Sequence, residues 1–281
     1  MSDQPYFPEN ENEISRLEGK TDKQAVIDQA SWAGLRPGMR VLDVGCGPGL
    51  TTSLLALAAQ PGGSAVGLDR SEERITYASE KYVADNVSFV RRNFFDDLSD
   101  LGEFDFVWVR FVLEYFLQEA FQLVKNVTQT VKPGGILFLA DLDRNCMTHY
   151  GHSERLEKTF QKIAMCQMKN NNFDPFAGAK LHNHLYNLGF TNIRTELRAH
   201  HLVFGELSDL DRWNFWQKIE LAARRSGWTF EDYEDGFAGF EREFKEYFAD
   251  RRRFCYTPLI LCRGVRPADI NELTCCGEDA S

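Results

Sequence analysis

The sequence predicts an α/β fold, a mostly parallel sheet with helices on both faces. Three observations carry this. A short apolar, partly β-branched run, Val41-Leu42-Asp43-Val44, leads into glycines at alternating positions, Gly45, Gly47 and Gly49, and then into a helical stretch. Further strand-like and helical runs alternate after it, as a parallel sheet with crossover helices requires. The second strand-like run ends at Asp69, about 20 residues beyond Gly49, the spacing at which a carboxylate meets ribose hydroxyls in adenosine-binding sheets.

Composition narrows the class. The 281 residues suffice for one large domain, or one domain with a cap. Apolar residues make up 43% of the chain, enough for a packed core. A formal net charge of -10 argues against non-specific nucleic-acid binding, which works by neutralising phosphates. Seven cysteines without a C-x-x-C pair suggest neither a disulfide framework nor a zinc site and fit a cytoplasmic protein. The N-terminus is too polar for a secretory signal, and no run approaches the ~20 apolar residues of a membrane span. No nucleic-acid or membrane partner is therefore expected, and no metal.

The elements are expected in this order. Met1 to Asn12 is polar, Glu13 to Leu17 opens a helix, and Asp22 caps a better one running to Ala33. Strand one starts at Arg40, and a helix covers Thr51 to Gln60. Ser64 to Leu68 and Val87 to Arg91 are strands two and three, flanking a helix from Ser71 to Val83. Strand four lies in Glu103 to Tyr115. A helix over Glu119 to Val131 has Phe121, Val124 and Val127 on its apolar side; a turn at Lys132-Pro133-Gly134-Gly135 then leads to strand five, Ile136 to Ala140. Helices over Ser153 to Met168 and Gly178 to Leu188 precede strand six, Phe190 to Leu202. The link from there to a last strand, Thr257 to Arg263, is about 50 residues, far longer than ordinary connections. It holds two helical stretches, Leu207 to Arg225 and Glu234 to Phe248, rich in Trp and Phe. They form either a helical cap over a substrate cleft or a helix pair that completes a core or a dimer interface. Arg251-Arg252-Arg253 is a solvated turn.

The glycine loop sets the ligand class. Glycine permits a sharp turn and close approach of a ligand to the backbone, and a helix N-terminus offers amide donors. A dinucleotide fingerprint needs G-x-G-x-x-G, but Gly49 comes one place early and Leu50 stands at the fingerprint position. No lysine follows Gly49, so the loop is not a nucleotide-triphosphate loop. An acid at the strand end, Asp43, followed by G-x-G-x-G remains.

That motif resembles motif I of the class I S-adenosylmethionine-dependent methyltransferases. Phe104-Asp105-Phe106-Val107 resembles the fourth strand of that family, and Lys132-Pro133-Gly134-Gly135 before a strand matches it again. The resemblance implies a Rossmann-like, seven-stranded mixed sheet with the cap inserted before the last strand. It divides the chain into an N-terminal segment and helix (1–34), a cofactor-binding core (35–143), the rest of the sheet with the cap (144–267) and a disordered tail (268–281). It implies S-adenosyl-L-methionine as cofactor, S-adenosyl-L-homocysteine as product, and methyl transfer by in-line displacement to an oxygen, nitrogen or carbon of a small molecule. The aromatic cap favours an apolar or aromatic acceptor, and a homodimer is a further expectation.

The site residues follow by position. Gly45, Cys46, Gly47 and Gly49 would pack on the methionine part, with Asp43 near its ammonium. Asp69 would meet the ribose or cap the next helix, and Arg70 would cover the adenine. Asn93 and the backbone of Phe94 would meet the adenine edge, with Asp96 as competitor. Arg110 and Phe111 would floor the site. Asp141 and Asp143 either face the substrate or make a turn. His149 and His152 are the candidate bases, and each is equally readable as a structural histidine. The chain lacks the N-P-P-Y type sequence of the amide- and adenine-methylating subgroup. An NAD-dependent oxidoreductase and a non-catalytic S-adenosylmethionine-binding protein are the alternatives.

Overall fold

A computed structural model describes residues 21–145 and 147–268. The polar N-terminal segment, the helix expected over Glu13 to Leu17 and nearly all of the 268–281 tail lie outside the described residues. Helix α1 (Lys23–Ala33) starts where expected, with the Asp22 carboxylate accepting from the Ala25 amide at 3.0 Å. Then follow β1 (Arg40–Val44), α2 (Leu50–Ala58), β2 (Ser64–Asp69), α3 (Glu72–Lys81), β3 (Val87–Arg91), β4 (Phe104–Arg110), α4 (Ala120–Thr128) and β5 (Val131–Leu142). A short β6 (Thr148–Tyr150) precedes α5 (Glu154–Asn171), α6 (Ala177–Asn187), β7 (Thr191–Phe204), α7 (Asp209–Arg225), α8 (Phe237–Ala249) and β8 (Phe254–Val265).

The strands form one sheet in the order β3-β2-β1-β4-β5-β8-β6, with β7 also on β8. Strands β1 to β5 are parallel, and β8 is antiparallel to its three neighbours. Strand β7 takes one edge of β8 along its full length, from Phe204↔Phe254 to Thr191↔Val265. The other edge is shared: β5 pairs residues 259–265 and β6 pairs 254–256. Eight strands thus occupy seven places, in the mixed α/β sheet that was expected. The chain reverses its direction of winding between β1 and β4, so the carboxyl ends of these strands open a crevice.

Alternation along the central strands feeds both faces. Leu42, Val44, Val107 and Val109 join α4 and α6 in one core, while Val41, Phe106 and Trp108 join α1 and α2 in the other. This is why these strands read as continuous apolar runs and not as alternating ones. Trp108 stacks on Phe138 of β5 at 4.1 Å between ring centroids.

Several local expectations change. Lys132 to Gly135 lie within β5, where they break the β4–β5 register between Phe104 and Phe106. Phe121 is exposed, because Ala120, Leu123, Val124 and Val127 already complete the apolar stripe of α4. Arg253 is buried and donates to the carbonyls of Gly205 and Asp250, each at 2.8 Å, whereas Arg251 and Arg252 are exposed. The cap draws on two insertions: α5 packs with α7 and α8 in a third core. Its aromatic rings mostly bury one another, with Phe240, Phe244 and Phe248 fully enclosed and only Trp213 turned well outward. No helix among the described residues is long and apolar enough to cross a membrane.

Phe240 sits at the middle of the cap core, against Phe230 at 5.0 Å and Phe244 at 6.1 Å. Phe240→Ala is expected to lower stability by about 3–5 kcal/mol, measured by urea unfolding.

Candidate functional site

The crevice is built on the turn after β1. The amides of Gly45 and Cys46 both donate to the Leu68 carbonyl, at 2.7 and 3.0 Å, which ties the turn to the end of β2. The Gly47 amide donates to Oδ2 of Asp69 at 3.0 Å, and the Ser71 amide donates to Oδ1 at 2.9 Å. Ser71 itself caps α3, accepting from the Arg74 amide at 3.3 Å. Asp69 is therefore not the cap of that helix. It is a buried carboxylate joining the glycine turn to the start of α3, with the Arg74 guanidinium 4.0 Å away.

The three glycines serve different ends. All have positive φ, at +75°, +55° and +93°, which side chains disfavour. A Cβ on Gly45 would lie 2.5 Å from Val112, and one on Gly49 would lie 2.7 Å from Ala78. Protein packing demands those two. A Cβ on Gly47 would meet nothing within 4 Å, so this position faces open space beside Asp69.

A cleft lies against the same turn. Gly45 borders it from the turn, and Asp69, Arg70, Ser71 and Arg74 from the β2–α3 junction. Phe94 closes it after β3, and Phe111, Val112 and Phe116 after β4. Phe94 and Phe116 meet edge to face at 6.0 Å, and the Arg70 guanidinium lies 5.9 Å over the Phe116 ring. Phe111 has φ +58°, rare for a bulky residue, and its amide donates to the Ala140 carbonyl at 2.9 Å. This backbone turns its ring between the Arg110 guanidinium at 4.1 Å and the His200 ring at 5.0 Å.

Beneath the turn, Asp43 accepts from the Thr52 hydroxyl at 2.7 Å. Burial pushes its carboxyl up to about 7, against the opposing pull of the Thr52 hydrogen bond and Arg110. Arg110 does not border the cleft. Burial lowers its guanidinium to about 10, still a cation at neutral pH, and Asp43, Asp141 and Asp22 oppose the shift. Its Nε donates to Gln29 of α1 at 3.0 Å, so the N-terminal helix reaches the strand ends. Cys46 is buried and its thiol pushed well above the ordinary range by burial, so it is no nucleophile.

Other expected residues fall elsewhere. Asn93 is exposed, its side-chain oxygen accepting from the Phe95 amide at 3.2 Å, while Asp96 accepts from the Asn93 amide at 3.3 Å. Both complete a local turn, and Phe94 between them lines the cleft. Asp141 is fully buried, accepting from the Glu114 and Leu142 amides at 3.1 and 2.9 Å. Burial and then the neighbouring Glu114 raise its carboxyl, which makes it a strut between β5 and the segment after β4. Asp143 is half-buried, with its amide on the Pro258 carbonyl at 3.0 Å. His149 and His152 sit in the cap. His149 stacks on Phe160 at 4.5 Å and meets the Tyr247 hydroxyl at 3.3 Å, and His152 pairs with Glu157 at 2.6 Å.

Sequence reading passed over Ser71, Arg74, Val112 and Phe116, which line the cleft, and His200. The first two lie one helical turn apart at a helix start, a readable pattern. His200 had no readable signal. It is the extra residue of a bulge in β7, between the pairs Ala199↔Pro258 and His201↔Thr257, and this places the two histidine rings only 4.1 Å apart.

This geometry agrees with comparisons to known proteins. Residues 16–195 match the family model described as a methyltransferase domain, and the chain belongs to that family. With its fold, this makes it a class I S-adenosylmethionine-dependent methyltransferase family member. The chain is 38% identical over 109 residues to a ubiquinone biosynthesis O-methyltransferase of Rhizobium johnstonii, a match covering 38% of this chain and 42% of that protein. The chain thus spans under half the length of the curated relatives it matches first. Among solved structures it resembles a putative methyltransferase from Bacillus halodurans, with TM-score 0.56, 16% identity and coverage of 87% and 99% of the two chains. It also resembles the cyclase SpnF, with TM-score 0.53, 19% identity and coverage of 88% and 82%. These two likenesses are of fold.

Two outcomes are expected. Gly47→Ala should cost about 1–2 kcal/mol, the backbone term alone, whereas Gly49→Ala adds a clash with Ala78 and should cost about 1–3 kcal/mol more in urea unfolding. Asp43 is protonated in the folded chain up to about pH 7 but ionises near 3.8 when unfolded. Its contribution is fully present below pH 3.8 and is lost as pH rises to 7. Relative to Asp43→Asn, wild-type stability should therefore fall across that window, by up to about 4 kcal/mol.

Proposed function

We infer that this protein transfers a methyl group from S-adenosylmethionine to a small-molecule acceptor. The observation that carries this is Asp69: a carboxylate at the end of β2 that borders the cleft and holds the glycine turn through the Gly47 amide. Each carboxylate oxygen accepts one amide and retains a lone pair for a ribose hydroxyl. Arg70, Phe94 and Phe116 supply flat, apolar and cationic contacts for an adenine. The residues present fit the cofactor. Bound there, S-adenosylmethionine supplies a methyl group on a sulfonium for in-line displacement by a nucleophile and leaves as S-adenosylhomocysteine.

The chain's own part is positioning. Asp43 lies beneath the turn with a carboxyl near 7, so a cation above it would draw off its proton. Phe111 and Val112 exclude water from one wall. The ring series Phe111, His200, His201 and Phe215 runs from the cleft to the cap and supports an apolar or aromatic acceptor on that side. The His200 ring meets Phe111, a wall residue of the cleft, which favours it over His149 and His152 as the acceptor-side base. A cytoplasmic location and pairing with a second copy of the chain belong to the same reading.

Thermal melts with S-adenosylmethionine, S-adenosylhomocysteine and NAD test it. At about 100 times its dissociation constant a ligand adds about 2.7 kcal/mol. The first two should raise the melting temperature, and Asp69→Asn should weaken both about tenfold or more by removing charge-assisted hydrogen bonds. A rise with NAD alone contradicts the reading.

A further inference from the structure

The sheet outruns one of its helix layers. Helix α6 covers one face of β8, and its first turn ends over Ile260: a Cβ on Gly178 would lie 3.0 Å from the Ile260 side chain and 2.7 Å from the Asp141 carbonyl. The same face continues for another six residues of β8, to Tyr256 and Phe254. Strand pairing places Leu202 beside Tyr256, with Phe204 and Tyr150 on either side of Phe254. Leu197, opposite Ile260, lies on this face too. These six side chains are between 37% and 73% exposed, and they make up nearly half of the large exposed apolar residues among those described. The opposite face of the same strands is closed, with Cys255 and Thr257 buried and Cys255 packed into the cap core.

We propose that this face binds a second copy of the chain, sheet face to sheet face about a two-fold axis. Side chains of this kind, about half exposed, offer on the order of 600 Å² of apolar surface. That is at the upper end of what a monomer leaves open, and close to one partner's share of a small stable interface. The end of the β7–β8 pair carries two acids and two bases, Glu206 with Arg251 at 2.8 Å and Asp250 with Arg252 at 2.6 Å. A rim of balanced sign is self-complementary under a two-fold axis and gives an anionic membrane nothing to attract. Area does not fix affinity, so the test spans a range of concentrations.

Sedimentation equilibrium of the full chain tests this between about 1 and 100 μM. The mass should rise from 32.3 kDa towards twice that value. Phe204→Glu and Tyr150→Glu should each raise the dissociation constant at least tenfold without changing the melting temperature. Leu57→Glu, equally exposed but on α2, should leave it unchanged. A wild type that stays at 32.3 kDa overturns the proposal, as does a dimer lost equally in Leu57→Glu. So does a monomer that binds phosphatidylcholine vesicles through Phe204, or one that dimerises only when residues 1–20 are removed. S-adenosylmethionine binding by Phe204→Glu, read in the same melts, keeps failure here separate from failure of the methyl-transfer reading.

Discussion

The carboxylate of Asp69 binds the amide of Gly47, and the site depends on that bond. It fixes a turn whose glycines all stand at positive φ, which glycine reaches without steric cost but does not select by itself. The same carboxylate accepts from Ser71 and so sets where α3 begins. The turn, the strand end and the next helix thus meet at one buried anion. Gly45 and Gly49 let Val112, Ala78 and Phe89 close around the turn, and a Cβ on Gly47 would meet nothing.

A second layer of charge lies just beneath. Asp43, Arg110, Asp141 and Glu114 sit where the carboxyl ends of β1, β4 and β5 converge, and burial raises all three carboxyls. Arg110 offsets part of that cost and links the group to α1 through Gln29. Glu114 accepts from Asn145 at 2.8 Å, and its carbonyl accepts from the Asp174 amide at 2.7 Å, which anchors the segment after β5 to the segment after β4. These groups hold the crevice open from below and do not enter the cleft. Above it, the bulge in β7 turns His200 towards Phe111, so the antiparallel end of the sheet also reaches the site.

What could be read in the sequence was local. The glycine turn, the Asp22 cap position and the apolar strands announce themselves through residues a few places apart, because their physics acts over one turn or one strand. Asp69 was legible for the same reason, at a fixed distance from the turn. The fates of Asp141, Asn93, His149 and His152 were not. For Asp141 and His149 the fold brings partners from elsewhere in the chain, Glu114 onto Asp141 and Tyr247 and Phe160 onto His149, whereas Asn93 and His152 are held by near neighbours, Phe95 and Glu157. Strand β6 is too short to show a period, and the β7 bulge reverses the side on which alternation would place a histidine. The two helices before the last strand were visible as an overlong, aromatic link. That α5 joins it, and that its rings face one another, follows only from tertiary packing.

The most direct measurement is a crystal structure with S-adenosylhomocysteine. The account predicts its ribose on Asp69, its backbone contact at Gly47 and its adenine between Arg70, Phe94 and Phe116. Binding elsewhere, or an Asp69 carboxylate that keeps only its two amide partners while the ligand is bound, would contradict it.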